Sequence, residues 1–234
     1  MGAIALGPQV WRIPTLGDFI NSFAFVEQDG SVTLVDTGIR GASKRIVAGL
    51  ADIGKHPRDV QRIILTHAHN DHAGSAAKLL PQTSAGGAVV HAQDAAFVEA
   101  GQPAPASGIG QVLQRLPGQA FAPVPVSQQV ADGEVLDVAG GVRVHHTPGH
   151  TPGHMSLLHE PTGVLITGDC IFNMGGRMTW PVRAFCTDFP LNERTAATLA
   201  DLDYQVAAFT HGPHLATSAR EQVRGLLRRK GVVQ

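Results

Sequence analysis

The six residues from His67 to His72 constrain the architecture of this chain more than any longer stretch does. The run Thr66-His67-Ala68-His69-Asn70-Asp71-His72 gathers three imidazoles and a carboxylate directly behind an apolar segment, Arg62-Ile63-Ile64-Leu65. Imidazole nitrogen and carboxylate oxygen are the ligands that borderline divalent cations such as zinc prefer. At the end of an extended strand, residues two apart point the same way, so His67 and His69 face one ion. A helical turn beginning at Asp71 and His72 then aims that second pair at a neighbouring ion. Three scattered histidines would describe a solvated loop; H-x-H-x-D-H straight after a buried strand describes a metal site.

The spacing His67-x-His69-x-Asp71-His72 resembles the metal signature of the metallo-β-lactamase-fold hydrolases. The resemblance implies four further elements, and each has a counterpart here in the family's order. An aspartate ending a strand is matched by Asp36 in Ser31-Val32-Thr33-Leu34-Val35-Asp36-Thr37-Gly38. A histidine in a glycine-flanked turn is matched by His150 in Thr147-Pro148-Gly149-His150-Thr151-Pro152-Gly153-His154. A bridging aspartate is matched by Asp169 after Val164-Leu165-Ile166-Thr167-Gly168, and a last histidine by His211 after Ala207-Ala208-Phe209-Thr210. The fold so implied is an α+β, four-layer αβ/βα sandwich: two mixed β-sheets with outer helices, and metals at one edge between the sheets.

Size and composition fit that expectation. A chain of 234 residues and 24.6 kDa suits a single domain spanning 1–234. Hydrophobic content of 43% and a mean hydropathy of +0.03 are those of a globular protein. A net charge of −1 suggests neither nucleic acid nor an anionic membrane as a partner, leaving a small-molecule substrate and a monomer or homodimer. The basic group Arg224, Arg228, Arg229 and Lys230 suits the end of a C-terminal helix, where cations complement the helix dipole. The N-terminus lacks the basic and apolar regions of a signal peptide, and no apolar stretch reaches the ~18 residues of a bilayer span. Two cysteines, Cys170 and Cys186, in such a chain read as reduced thiols of a cytoplasmic protein.

Periodicity places strands at 10–13, 22–27 and 32–35, the last two joined by a Gln28-Asp29-Gly30-Ser31 turn, then a helix over 42–54 ended by Gly54. A strand at 61–66, a helix near 73–80 and a strand at 88–91 continue the alternation. The second half predicts strands near 142–146, 155–159, 164–168 and 206–210, with helices near 192–202 and 215–230. Residues 101–125 interrupt this rhythm with five prolines and a short apolar helix candidate, Ile109 to Leu116. We read them as an insertion over the active-site edge. Residues 171–190 follow the bridging aspartate and carry Phe172, Met174, Trp180, Phe185 and Phe189, a composition suited to substrate contact.

The ligands divide into two open sites. His67, His69 and His150 hold metal 1; Asp71, His72 and His211 hold metal 2; and Asp169 bridges them beside a water or hydroxide. Zinc, two per chain, is the expected cofactor, and iron or manganese also suit such donors. A bound dication can lower the pKa of its water to about 7, which makes the metal-bound hydroxide the expected nucleophile. Asp71 is the catalytic candidate, able to ligate and to orient that hydroxide. Asp36 is either a support for a histidine and its loop or the N-cap of the 42–54 helix. His146 and His154 read as structural or supporting groups, Phe172 and Trp180 as substrate-pocket residues, and His214 as a residue of the pocket mouth. Cys170 points away from the metals.

Subfamily patterns narrow the reaction. True β-lactamases of the fold lack the bridging aspartate. Glyoxalase II enzymes share the Thr-Pro-Gly-His-Thr turn and the aspartate but carry a long C-terminal glutathione-binding domain, and little chain follows His211 here. Acyl-homoserine lactonases have all seven ligands, with a tyrosine where this chain has Phe172. The resemblance therefore implies a dinuclear zinc hydrolase of the glyoxalase-II-like group acting on a small ester, thioester or lactone. The alternative is a mononuclear iron oxidoreductase resembling the persulfide dioxygenases. A metal-stabilised binding protein is a third reading, disfavoured because no ligand position is lost.

Overall fold

The interior strands are buried on both faces, and alternate residues along them fall into different cores, so that three cores define four layers. The computed structural model describes residues 2–234. The first sheet follows chain order through β1 (Ile4–Gly7), β2 (Val10–Leu16), β3 (Ile20–Val26), β4 (Val32–Val35), β5 (Val60–Ile64), β6 (Ala88–His91) and β7 (Val126–Val130). β1 to β4 are antiparallel and connect through short turns, among them the turn expected between residues 27 and 31. β4 to β7 are parallel, and parallel pairs need crossovers. These are supplied by α1 (Ser43–Asp52), by α2 (Asn70–Ala73) with α3 (Ala76–Leu79), and by α4 (Ala95–Ala100) with α5 (Gly110–Leu113).

The second sheet takes β8 (Val135–Leu136), β9 (Val142–His146), β10 (Met155–His159) and β11 (Val164–Ile166), all antiparallel. A hairpin of β12 (Phe172–Met174) and β13 (Arg177–Thr179) follows, then α6 (Phe189–Thr195) and α7 (Thr198–Asp201). The chain returns to add β14 (Val206–Ala208) parallel to β11, and α8 (Ala219–Arg229) closes the fold.

Between the sheets, Phe23, Phe25, Val35 and Ile64 meet Val144, Met155, Leu157 and Ile166. Their sequence neighbours Ala24, Leu34 and Ile63 point outward and pack under Ile46 and Leu50 of α1, Leu79 of α3 and Val98 of α4. On the far side, Leu158, Leu165 and Ala207 pack under Leu199, Val223, Leu226 and Leu227 of α7 and α8. The αβ/βα sandwich expected from the sequence is therefore the observed fold.

Several elements differ from expectation. The helix near 73–80 is two short turns, α2 and α3, broken at Gly74 and Ser75. A Cβ on Gly74 would lie 2.6 Å from the Arg40 backbone nitrogen, so the loop after β4 crosses there. Ser75 Oγ donates to the Ile39 carbonyl, which pins that loop in place. The helix near 192–202 begins earlier, where Asp188 accepts from the Leu191 N–H as N-cap, and it breaks after Thr195. The candidate helix at 109–116 forms as the single turn α5. The hairpin β12–β13 lies in the 171–190 stretch, outside the expected strands, its turn made by Gly175 and Gly176 at φ +61° and +74°. Positive φ at both central residues matches the twist that tight hairpins require.

The crossovers leave the C-terminal ends of β4, β5, β6, β9, β11 and β14 at one edge. Asp36, His67 to His72, Asp94, His150, Asp169 and His211 follow those six strands in turn.

Candidate metal centre

The structure brings together all seven residues named as ligands. His67, His69 and His150 each aim one nitrogen at a common point, as do the donor atoms of Asp71, His72 and His211; His67, His72 and Asp169 form a third overlapping set. Asp169 links the groups. Its Oδ2 lies 3.2 Å from His150 Nε2 and 3.9 Å from His67 Nε2, while its Oδ1 lies 3.3 Å from both His72 Nε2 and His211 Nε2. Asp71 Oδ2 is 3.3 Å from His211 Nε2, and His69 Nδ1 is 3.0 Å from His150 Nε2.

The Nε2 atoms of His67, His69, His72 and His211 are buried and hydrogen-bond to nothing. Orphaned buried nitrogens are costly unless something outside the chain completes them. Three of them, on His67, His72 and His211, converge on two carboxylates, and His69 turns its Nδ1 to His150 Nε2; this is the donor set of a divalent-cation site, so the residues present fit the metal that the sequence implies.

The electrostatics agree. Burial disfavours charge on His72, yet Asp169, Asp71 and Asp36 together hold its pKa well above that of a free imidazole. Burial also opposes the cation at His211, and Asp169 and Asp71 still lift it to about 10. His69 falls to about 3 through burial and the proximity of His150, and His67 falls as well. Burial would raise Asp169, but His211, His72, His150 and His67 hold it well below the usual carboxylate range. In the metal-free chain, protons on His72 and His211 offset the two carboxylates.

A ring of supporting groups fixes these side chains. Asp36 is wholly buried; its Oδ2 lies 2.9 Å from His72 Nδ1, and its two oxygens accept the Thr66 N–H and hydroxyl, each at 2.8 Å. It therefore holds a histidine and its loop, and α1 begins at Ala42 without a side-chain cap. His154 Nε2 accepts the Asp169 N–H at 2.7 Å, and Thr210 Oγ1 donates to Asp169 Oδ1 at 2.7 Å. Asp94 was not read from the sequence, where nothing marks it apart from its place after a strand. It accepts the Ala68 N–H, the Gly153 N–H and the Thr151 hydroxyl, tying the His67–His72 loop to the loop that carries His150. Cys186, expected from the sequence only as a reduced thiol, places Sγ 3.5 Å from His150 Nδ1. Cys170 lies in the outer core of the second sheet, away from the ligands, as expected.

The centre floors a cleft of about 390 Å³, whose walls include Ile20, Ile39, Phe172, Met174, Val182 and Phe185. The Phe172 ring sits 4.3 Å from that of His211. Of residues 101–125, Gln114 and Gln119 line this cleft and the Gly118 carbonyl accepts from Asn70, while Ala104 and Val124 pack in the core of the first sheet. Two sequence expectations need correction. Trp180 does not line the cleft, because the strand it follows turns it onto the core under α7 and α8. His214 does not line it either; it is half-buried near Arg12 and Asp18.

The chain matches the metallo-beta-lactamase superfamily model over residues 16–211 and belongs to that superfamily. It is 31% identical to the uncharacterized protein YobT of Bacillus subtilis over 218 residues, 88% of each chain. Over 158 residues it is 28% identical to the hydroxyacylglutathione hydrolase GloC of Haemophilus influenzae, covering 66% of this chain and 68% of that one. Among solved structures, a metallo-beta-lactamase family protein from Thermus thermophilus superposes with a TM-score of 0.70 at 26% identity, covering 97% of this chain and 81% of the other. Of these relatives, the one named for an activity is a hydrolase. Among the described residues, no helix is long and apolar enough to cross a membrane.

Proposed function

We propose that this chain is a dinuclear zinc-dependent hydrolase that cleaves a small ester, thioester or lactone. The observation that carries the reading is the shared carboxylate: Asp169 stands between two sets of ligand atoms at the floor of an open, largely apolar cleft. His67, His69 and His150 would hold one cation, Asp71, His72 and His211 the other, and Asp169 both. When bound, the two cations supply Lewis acidity at the substrate carbonyl and lower the pKa of water.

The chain's own groups do the rest. Asp71 is the ligand carboxylate most open to the cleft, its side chain 28% exposed. There it accepts the proton of the attacking water and returns it to the leaving oxygen or sulfur. Asp36 and Asp94 keep the imidazoles aimed, so little reorganisation accompanies the reaction. Phe172, Met174 and Phe185 wall the reacting carbonyl from bulk water. Relatedness to a hydroxyacylglutathione hydrolase supports the thioester in particular.

Elemental analysis of the purified protein, with turnover measured on a thioester, an aryl ester and a homoserine lactone, tests the reading. Two zinc ions per chain and a kcat/KM of roughly 10⁴ M⁻¹s⁻¹ or more on one of them, lost on chelation, are expected. One iron per chain with dioxygen consumption on a persulfide would replace the hydrolase with an oxidoreductase.

A further inference from the structure

The large apolar side chains most exposed to solvent are not scattered over this molecule. Leu16, Phe19, Ile109, Val112, Leu116 and Val182 are each about half exposed or more, and they fall on three segments. Each of those segments also walls the cleft: Ile20 follows Phe19, Gln114 and Gln119 belong to the α5 region, and Val182 and Phe185 line the cleft themselves. Among the described residues one further such side chain, Val135, lies on the edge strand β8. Single exposed apolar residues need no explanation, but a cluster at the rim of one cleft marks a binding surface.

The α5 segment is held in place. Gly110 packs so closely on Ala184 that a Cβ would meet its carbonyl at 1.7 Å. Gln114 bonds both the Ala104 carbonyl and the Ala106 N–H, and Ser107 bonds the Cys186 carbonyl. Ile109 and Val112, three apart on this turn, share a face distinct from the one carrying Gly110 and Gln114, and Leu116 follows in the bend after it. Ordering that apolar face beside the cleft has no role in the core, since none of the three belongs to it.

Charge completes the picture. The cleft lining carries Asp71 and Asp169 and no lysine or arginine. Arg183, next to Val182, lays its guanidinium over the Phe189 ring, 5.3 Å from the centroid. A substrate bearing carboxylates or phosphates remote from the scissile bond finds no cation on these walls.

We infer that the cleft takes an uncharged ester or thioester with an extended apolar acyl chain, and that the face of Ile109 and Val112 receives the part of the chain that leaves the cleft. The inference rests on the hydrolytic reading above and selects within it, away from glutathione thioesters. Each methylene placed against a half-open apolar wall should raise kcat/KM about two- to threefold, or roughly 16- to 80-fold over four methylenes.

Zinc-loaded protein should be assayed on N-acetylcysteamine thioesters from acetyl to octanoyl, and on S-octanoylglutathione. In parallel, calorimetry should follow binding of the matching non-hydrolysable amides. Both turnover and amide affinity should climb with chain length, and the glutathione thioester should fall at least tenfold below its neutral counterpart. The double variant Ile109→Ser, Val112→Ser should flatten both series, losing most on octanoyl and least on acetyl. Turnover that ignores chain length, or that favours glutathione, refutes the inference and leaves the hydrolase standing. Absent turnover with a rising amide series refutes the hydrolase and leaves the apolar site. A dimer dispersed by the double variant, with unchanged slopes, would assign the apolar face to a second copy and refute the inference.

Discussion

Replacing Asp36 by asparagine or alanine should separate the support of the metal centre from the stability of the fold. The carboxylate is fully buried and meets three polar hydrogens: Thr66 N–H and O–H, and the hydrogen on His72 Nδ1 when Nε2 carries a cation. Alanine leaves those donors in a dry site. An unsatisfied buried group costs about 1–3 kcal/mol; the Thr66 hydroxyl can rotate to another acceptor, so two orphans remain and the loss is roughly 2–6 kcal/mol. Position 36 also has φ +57°, a region that costs an alanine about 1 kcal/mol and asparagine little. Against a total stability of roughly 5–15 kcal/mol, Asp36→Ala should lower the unfolding midpoint by many degrees or prevent folding.

Asp36→Asn preserves shape and tolerates the φ. Its amide offers one acceptor where the aspartate offered two, so it serves either the Thr66 N–H or His72 and opposes a donor to the other. If the acceptor stays with Thr66, the His72 ring loses its anchor and the second cation weakens by about 10–100-fold, the usual effect of losing such a partner. Competition against a chelator of known affinity, with thermal unfolding alongside, reads both quantities. Unchanged affinity of both zinc ions in a folded Asp36→Asn protein would refute the anchoring role, because a purely structural aspartate leaves the metals alone.

Three further outcomes are expected. Asp169→Ala should reduce metal content at both sites together, by elemental analysis after dialysis, since its two oxygens face both imidazole sets. Phe172→Tyr should raise lactone kcat/KM by up to roughly 10², the scale of one oxyanion donor, if its ring beside His211 faces the reacting carbonyl. The metal-free chain should be most stable near pH 6.5. His72 and His211 have raised folded pKa values, the latter about 10, so their contribution is full below 6.5 and lost as pH rises toward 10. His69 and His154, lowered to about 3, stay neutral while their unfolded counterparts take up protons below 6.5, so stability falls on that side too. Zinc should flatten the alkaline limb, and a metal-free chain of rising stability up to pH 9 would contradict the assignment.

How much of this was legible in the sequence depended on where each signal resides. The seven residues that converge at the candidate metal centre could be picked out because strand ends and tight turns impose local spacing, and local spacing survives in one dimension. The long helix α1 could be read for the same reason, through an apolar period of 3.6, and the interior strands through short apolar runs, since both of their faces are buried. The 73–80 segment has an apolar pattern compatible with one helix, but it breaks where the Arg40 backbone crosses Gly74. Only a contact distant in sequence says so. β7 shows its middle three residues to solvent, so its alternation is erased and only pairing with β6 reveals a strand. The Gly175-Gly176 turn of β12–β13 did carry a sequence signal, the glycine pair favoured in two-residue hairpins.

The same reasoning explains Asp94. Its three hydrogen bonds join residues 26, 57 and 59 positions away, and no motif links them. Yet it holds the His67–His72 loop against the loop carrying His150, and so sets the separation between histidines proposed to share one cation. A site whose ligands lie on different strands can be recognised from the ligands alone. Its geometry is decided by groups such as Asp94 and Asp36, which are buried beneath the cleft and keep the loops from drifting apart.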